Sequence, residues 1–303
     1  MNAVTLRHLR YFEALAQNRH FGRAAASCAI SQPALSLQVK EFEEILGAPL
    51  VERGPRALRL TALGEDVAAR ARAILRDVDD LADLARVARD PFDGLLRLGI
   101  IPTVAPYLAP AIIRALARAH PALELAPREA VTQKLIEGLL ESRLDAAVVA
   151  LPVSEPALEE APLFEEEFVL VRPREDEGRP VPSPSALQTM RLLLLEEGHC
   201  FRDQALAFCQ RAPSAPRALM EGSSLSTLVQ MVGAGIGVTL IPEMAVAVET
   251  RSARVSLARF GPPPPARRIG MVWRRGSLLA EPLRAIADVV RGAALAQRAG
   301  GSG

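Results

Sequence analysis

An apolar seam divides this chain: Val67, Ala71, Ile74, Val78, Leu81, Ala85 and Ala88 follow one another at spacings of 4, 3, 4, 3, 4 and 3. That rhythm predicts one long helix, and its alternation predicts the seam of a two-stranded coiled coil, weakened by its alanines. A single amphipathic helix lying against its own domain is the competing reading. Thr61 stands where it can cap the helix, and Asp90-Pro91-Phe92-Asp93-Gly94 ends it. The residue grammar changes across it, which predicts three parts: 1–60, a linker and dimerisation helix at 61–90, and 91–303.

The first part reads as short helices. Thr5 can cap one with Leu6, Leu9, Phe12 and Ala16 inward, and residues 21–26 make a second. Ser31 caps a third, with Pro33 in its first turn, an inward stripe of Leu35, Val39, Phe42 and Leu46, and Gly47 to end it. Two short helices joined tightly, the second with the uncharged polar face Ser31, Gln32, Ser36 and Gln38, predict a helix-turn-helix. Glutamine and serine there can read base edges in the major groove. Residues 53–60 then read as a turn between two extended pieces carrying Arg53, Arg56 and Arg59, a wing placed to grip phosphates. Residues 1–61 hold eight Lys or Arg against five Asp or Glu, so the field is modest and affinity must come from geometry and paired half-sites.

After the linker, strands and helices alternate. Strands at 95–101, 123–130 and 145–151 enclose helices at 106–119 and 132–142, a βαβαβ run that predicts a mostly parallel α/β sheet. The pattern continues in a second lobe with segments at 168–172 and 192–195, and at 224–232, 237–241 and 242–248 beyond. Residues 267–274 and 281–297 return to the first lobe. The lobes are expected at about 94–165 plus 266–303 and about 166–265. Two such lobes resemble periplasmic binding proteins, whose ligands sit in the cleft.

Residues 198–209 hold two of the three cysteines, Cys200 flanked by His199 and Arg202, and Cys209 nine residues on. Cationic neighbours favour the reactive thiolate. If the segment is a helix with Phe201, Ala205 and Phe208 inward, Cys209 points inward and Cys200 falls on the opposite face, about 13.5 Å away along the axis. A disulfide needs Cα atoms within about 7 Å, so joining these sulfurs must unwind the helix. Two small core residues on a helix is the plainer reading.

Three cysteines without framework spacing argue for a reducing compartment. The first twelve residues carry Arg7 and Arg10 and no long apolar core, and no 18-residue apolar run follows, so a soluble cytoplasmic protein without membrane contact is expected. No metal ion or cofactor is called for.

The stretches Phe21-x-Arg23-Ala24-Ala25, Ser31-Gln32-Pro33-Ala34-Leu35-Ser36, Glu43-x-x-Leu46-Gly47-x-x-Leu50-x-x-Arg53 and Leu60-Thr61-x-x-Gly64 resemble the N-terminal domain of LysR-type transcriptional regulators. The resemblance implies an N-terminal winged helix-turn-helix, a long linker helix and a two-lobed periplasmic-binding-protein-like effector domain. It puts Gln32, Pro33 and Ser36 in the groove and Arg53 on the backbone. Leu37 departs from it, standing where some members carry a basic residue, and Cys28 occupies an apolar packing position. Glu197-Gly198-His199-Cys200-x-Arg202-Asp203-Gln204-Ala205 and Phe208-Cys209 are similar to one subgroup, the OxyR-type peroxide sensors.

That subgroup implies Cys200 as peroxidatic thiol and Cys209 as resolving thiol. Thr103, His199 and Asp203 would hold hydrogen peroxide, with Arg202 and a supporting arginine at Arg267, although Arg268 follows where a small residue is usual. The partners implied are double-stranded promoter DNA with an inverted-repeat-like site, a second copy through the linker helix and a tetramer beyond it, RNA polymerase, and a cytosolic thiol reductant that resets the switch. Two alternatives stand beside it. One is a LysR-type regulator answering to a small organic anion between the lobes, its cysteines incidental. The other is a thiol peroxidase, which would have no use for the helix-turn-helix; the expectation is therefore a regulator and no enzyme.

Overall fold

The computed structural model describes residues 4–53, 58–187, 189–209 and 221–300. It divides into two compact units, residues 1–85 and 86–303.

In the first unit, helix α1 (Leu6–Asn18) opens on a capping box: the Thr5 hydroxyl accepts from the His8 N–H, and His8 Nδ1 accepts from the Thr5 N–H. Helix α2 spans Phe21–Ser27. Helix α3 (Gln32–Leu46) has Ser31 as its cap, Pro33 in its first turn, and Gly47 at φ 70° as its left-handed stop. Phe12, Leu15, Leu35, Val39, Phe42 and Leu50 form the core. Leu46, expected inward, is 40% exposed; it is the last residue of α3, beside the left-handed stop at Gly47. Cys28 packs at the edge of this core and burial pushes its thiol up, as suits a packing residue.

Strands β1 (Val51–Arg53) and β2 (Leu58–Leu60) pair antiparallel as the stem of the wing. The tip at 54–57, with Arg56, lies outside the described residues, as does the Arg53 side chain. Helix α4 (Ala62–Arg89) starts where the Thr61 hydroxyl accepts from the Gly64 N–H at 2.9 Å. A Cβ on Gly64 would stand 2.1 Å from the Leu50 carbonyl oxygen, so only glycine lets α4 lie this close to the chain entering β1. The seam splits. Ala71 is buried in the core of this unit and Val67 half-buried against it, whereas Val78 is half-buried and Ile74 and Leu81 are exposed; the Ala85 and Ala88 side chains lie outside the described residues.

In the second unit, β3 (Gly94–Ile100), α5 (Ala105–Ala119), β4 (Leu123–Glu129), α6 (Thr132–Leu140) and β5 (Ala146–Leu151) follow the expected alternation. Next comes β6 (Leu158–Pro173), a 16-residue strand of which the sequence pattern revealed only the last third. The second lobe adds α7 (Pro184–Leu187), β7 (Leu194–Leu195), α8 (Cys200–Phe208), β8 (Glu221–Gly222), α9 (Leu225–Gly233), β9 (Thr239–Pro242), α10 (Val246–Glu249) and β10 (Val255–Arg259). Strand β11 (Ala266–Arg274) and helix α11 (Ala280–Gly300) return.

The strand order is β10-β6-β11-β5-β3-β4, with β9 also on β6. In this sheet, among the described residues, only β4, β3 and β5 pair in parallel; β11 enters between β5 and β6 antiparallel to both, and β9 and β10 run antiparallel to β6, while β7 and β8 form a separate parallel pair. The expected mostly parallel sheet is therefore mixed, since local periodicity carries no information about which distant strand inserts between two others. Strand β6 joins the lobes: Leu158–Glu167 pair with β11, and Phe168–Pro173 with β9 and β10. Each lobe has its own core, one around Leu98, Val148, Met271 and Trp273, the other around Leu170, Leu193, Val229 and Ile241.

Candidate functional site

On α3, Ser31, Gln32 and Pro33 are exposed at the N-terminal turn, and Ser36 and Gln38 are half-buried. Gln38 donates to Glu41 Oε2 at 2.8 Å, so its amide is already engaged. Leu37 is 65% exposed on the same helix.

A second site lies in the effector unit, where the β3–α5 and β4–α6 turns of the first lobe meet the start of α8 from the second. The crevice at the carboxyl ends of parallel strands is where α/β sheets bind ligands. Ile101, Pro102, Thr103, Val131, Thr132, His199 and Cys200 line a narrow slot too tight for a free water molecule. Thr103 is 3% exposed. Its hydroxyl accepts from Arg267 Nη1 at 2.7 Å, and its carbonyl accepts from Nη2 at 3.1 Å. Arg267 is inward because β11 alternates: Arg267 and Ile269 are buried, while Arg268 points out to Glu165 at 3.0 Å. The alternation thus decides between the two arginines.

Arg267 is paired with Glu166 at 2.9 Å, with side-chain exposures of 0% and 1%. The Phe201 ring lies 5.2 Å from its guanidinium. Glu166 sits inward by the same period-two rule, in the buried series Phe164, Glu166, Phe168. That signal was present in the sequence but invisible to a reading that began the strand at residue 168. Thr132 was also missed. It opens α6 as Thr103 precedes α5, it lines the slot, and among the described residues its buried hydroxyl has no hydrogen-bond partner, an unmet capacity.

His199, the N-cap of α8, is 7% exposed. Burial pushes its pKa below the usual histidine range against the opposing pull of Glu196 and Glu129, so the ring is neutral near pH 7. Cys200 is the first residue of α8 and is half-buried. The Arg202 charge goes elsewhere: Nη1 donates to the Leu195 carbonyl at 2.9 Å and to Glu221 Oε1 at 2.7 Å. Asp203 is on the exposed face of α8. The structure therefore gathers Thr103, Arg267, His199 and Cys200, adds Thr132 and Glu166, and leaves Arg202 and Asp203 outside the slot.

Across α8, Cys209 is fully buried in the second core, whereas Cys200 packs against the first. Phe201, Ala205 and Leu206 form the buried face. Phe208, expected inward, is half-buried and stacks edge-on to Phe260. Neither sulfur is in a disulfide in this structure.

A helix-turn-helix followed by a long helix and a two-lobed α/β unit defines a DNA-binding regulator with a separate effector region. Residues 6–65 match the family described as bacterial regulatory helix-turn-helix protein, lysR family, and residues 89–295 match the LysR substrate binding domain. The chain belongs to the LysR family of bacterial transcriptional regulators, and within it to the OxyR-type group. It is 46% identical over 291 residues, covering 95% of this chain and 93% of the other, to a Streptomyces viridosporus protein named "Probable hydrogen peroxide-inducible genes activator". It is 39% identical over 290 residues, covering 95% of each chain, to the "DNA-binding transcriptional dual regulator OxyR" of Escherichia coli K12. Among solved structures, a full-length cysteine-to-aspartate OxyR from Pseudomonas aeruginosa aligns with TM-score 0.73 and 36% identity over 96% of each chain. A peroxide-bound cysteine-to-serine OxyR from Corynebacterium glutamicum aligns with TM-score 0.67 and 35% identity over 97% of this chain and 94% of that one. No helix among the described residues is long and apolar enough to cross a membrane.

Proposed function

We propose that this protein is a transcriptional regulator that senses hydrogen peroxide through Cys200 and Cys209. The observation that carries the reading is the set of side chains gathered at one narrow slot: Cys200 with Thr103, Thr132 and His199, whose ring is kept neutral by burial. Closed to a free water molecule as it stands, the slot has no room for an organic anion, and a peroxide reaches Cys200 only as the side chains around it give way.

The Cys200 sulfur attacks one peroxide oxygen; the S–O bond forms as the O–O bond breaks. The thiol's proton ends on the departing oxygen, giving water and a sulfenic acid. Thr103, Thr132 and His199 are the groups at hand to hold the two oxygens. The Cys209 thiol then displaces the sulfenic oxygen as a second water, leaving a disulfide two hydrogens lighter than the dithiol. Bonding requires α8 to open, because Cys209 sits in the second core at the far end of the helix. A cytosolic dithiol returns two electrons and two protons to reset the pair. In this reading α3 enters the major groove of an inverted-repeat-like promoter, and the exposed Ile74, Leu81 and Leu84 of α4 meet a second copy. Rearranged α8 alters subunit contacts within a tetramer and the access of RNA polymerase.

Intact-mass and peptide analysis of the full chain after equimolar peroxide tests this. The expected result is loss of two hydrogens between Cys200 and Cys209, and its absence in Cys200→Ser with DNA binding retained. Free thiols in the peroxide-treated wild type, with promoter occupancy altered only by an organic molecule, would overturn it.

A further inference from the structure

We infer that Glu166, a buried carboxylate outside the slot, is a positioning residue that fixes Thr103 as a hydrogen-bond donor toward peroxide; this rests on the peroxide-sensing reading. The argument starts from donor counting. A guanidinium has five N–H donors and no acceptor. Arg267 therefore fills a lone pair of Thr103 Oγ1, at 2.7 Å, and can take nothing from it. The one hydroxyl hydrogen of Thr103 is left for a partner on the slot side, where Cys200 and Thr132 stand. Arg267 keeps this orientation because its Nε donates to Glu166 Oε2 at 2.9 Å and the carboxylate neutralises it where water is excluded. Glu166 Oε1 is held in turn by the Met244 N–H at 2.9 Å, after β9 in the second lobe. The carboxylate thus stands two hydrogen bonds from the slot and is fastened on both sides.

The chemistry needs this polarity. When Cys200 sulfur attacks one oxygen, the O–O electron pair moves to the other, and that oxygen carries negative charge until the thiol's proton reaches it as water. A donor aimed there stabilises the charge; a threonine free to turn its hydroxyl would offer a lone pair as often as a hydrogen. Without Glu166 the guanidinium is an uncompensated buried charge that swings toward water, and Thr103 loses its fixed sense.

The test measures second-order rates at Cys200 in the full chain, with peroxide and with iodoacetamide, an alkylating agent whose leaving iodide needs no such donor. Glu166→Gln is expected to slow the peroxide reaction about tenfold to a hundredfold and to change alkylation by less than about threefold. Thr103→Val should match it, and the double variant should be no slower than either single one, because both remove the same interaction. Equal peroxide rates in wild type and Glu166→Gln, parallel loss of both reactions, or multiplying losses in the double variant would overturn the inference. Should Glu166→Gln fail to fold, Arg267→Lys carries the same test: one nitrogen keeps the charge for Glu166 but cannot also fix Thr103, so the same selective loss is expected and unchanged rates refute it. A wild-type Cys200 that equimolar peroxide leaves unoxidised takes the sensing reading down as well, whereas a reactive wild type with an equally reactive Glu166→Gln sinks only the positioning role.

Discussion

Replacing Arg202 by methionine should make the Cys200–Cys209 disulfide harder to reduce. Arg202 is 7% exposed and pins α8 to β7 and β8 through the Leu195 carbonyl and Glu221. The Glu221 side chain is 44% exposed, so solvent screening limits that pair to about 0.5–1 kcal/mol. The Leu195 carbonyl, losing a charged donor in a buried place, costs about 1–1.5 kcal/mol more. Both contacts belong to the ordered α8 and are lost when it opens, so the substitution removes about 2 kcal/mol from the dithiol state. Methionine fills much of the same space, which limits cavity effects. At 1.4 kcal/mol per tenfold the disulfide gains about thirtyfold, equivalent to a reduction potential about 40 mV more negative. Equilibration of the full chain in graded glutathione buffers, read by intact mass, measures this. Because the Arg202 charge is not aimed into the slot, the first oxidation should change less than about threefold. An unchanged potential with a markedly slower first step would refute the reasoning, since that pattern assigns Arg202 to activating the thiol.

Burial of His199 sets a pH dependence whose sign can be worked out: the folded chain keeps the ring neutral where the unfolded chain, with an ordinary value near about 6.5, has begun to bind a proton. Stability is complete above that pH and falls below it until the folded value is reached, so His199→Gln should flatten the loss of melting temperature between pH 7.5 and 5.5; equal losses in both proteins would contradict this. Thr132→Val removes a buried hydroxyl that has no partner among the described residues, so melting should hold or rise by up to about 1 kcal/mol equivalent while the peroxide rate drops about tenfold, measured by thermal scan and stopped flow. Leu37→Arg adds a cation on an exposed part of α3, and promoter affinity at low salt should rise with a log–log salt slope steeper by about one, measured by fluorescence anisotropy; an unchanged slope would mean residue 37 does not meet phosphate.

Much of the DNA-binding unit was legible because its signals are local. Thr5, Ser31, Pro33, Gly47 and Thr61 act on the turn beside them, and the structure uses each as its chemistry suggests. The separation of Cys200 from Cys209 was readable for the same reason: helical phase and rise follow from counting residues. The linker seam was half legible. Its spacing announced a helix, but a spacing cannot say that Ala71 would be buried in the helix's own unit while Leu81 stayed exposed.

What sequence alone determined here is what short-range geometry dictates: the alternation of strands and helices from β3 to β5, the capped helix-turn-helix, and two cysteines at opposite ends of one helix, while β10 went unread. Tertiary structure alone decided the sheet order, the long crossing strand β6, and the partners of the charges. Arg202 looked like a neighbour of Cys200 and was taken by Glu221, while Glu166, in a run of three glutamates, was carried inward to Arg267 from 101 positions away. The physical reason is that a charge takes whatever counter-charge desolvation leaves it beside, and that is set by strands meeting across the fold, which no local spacing records.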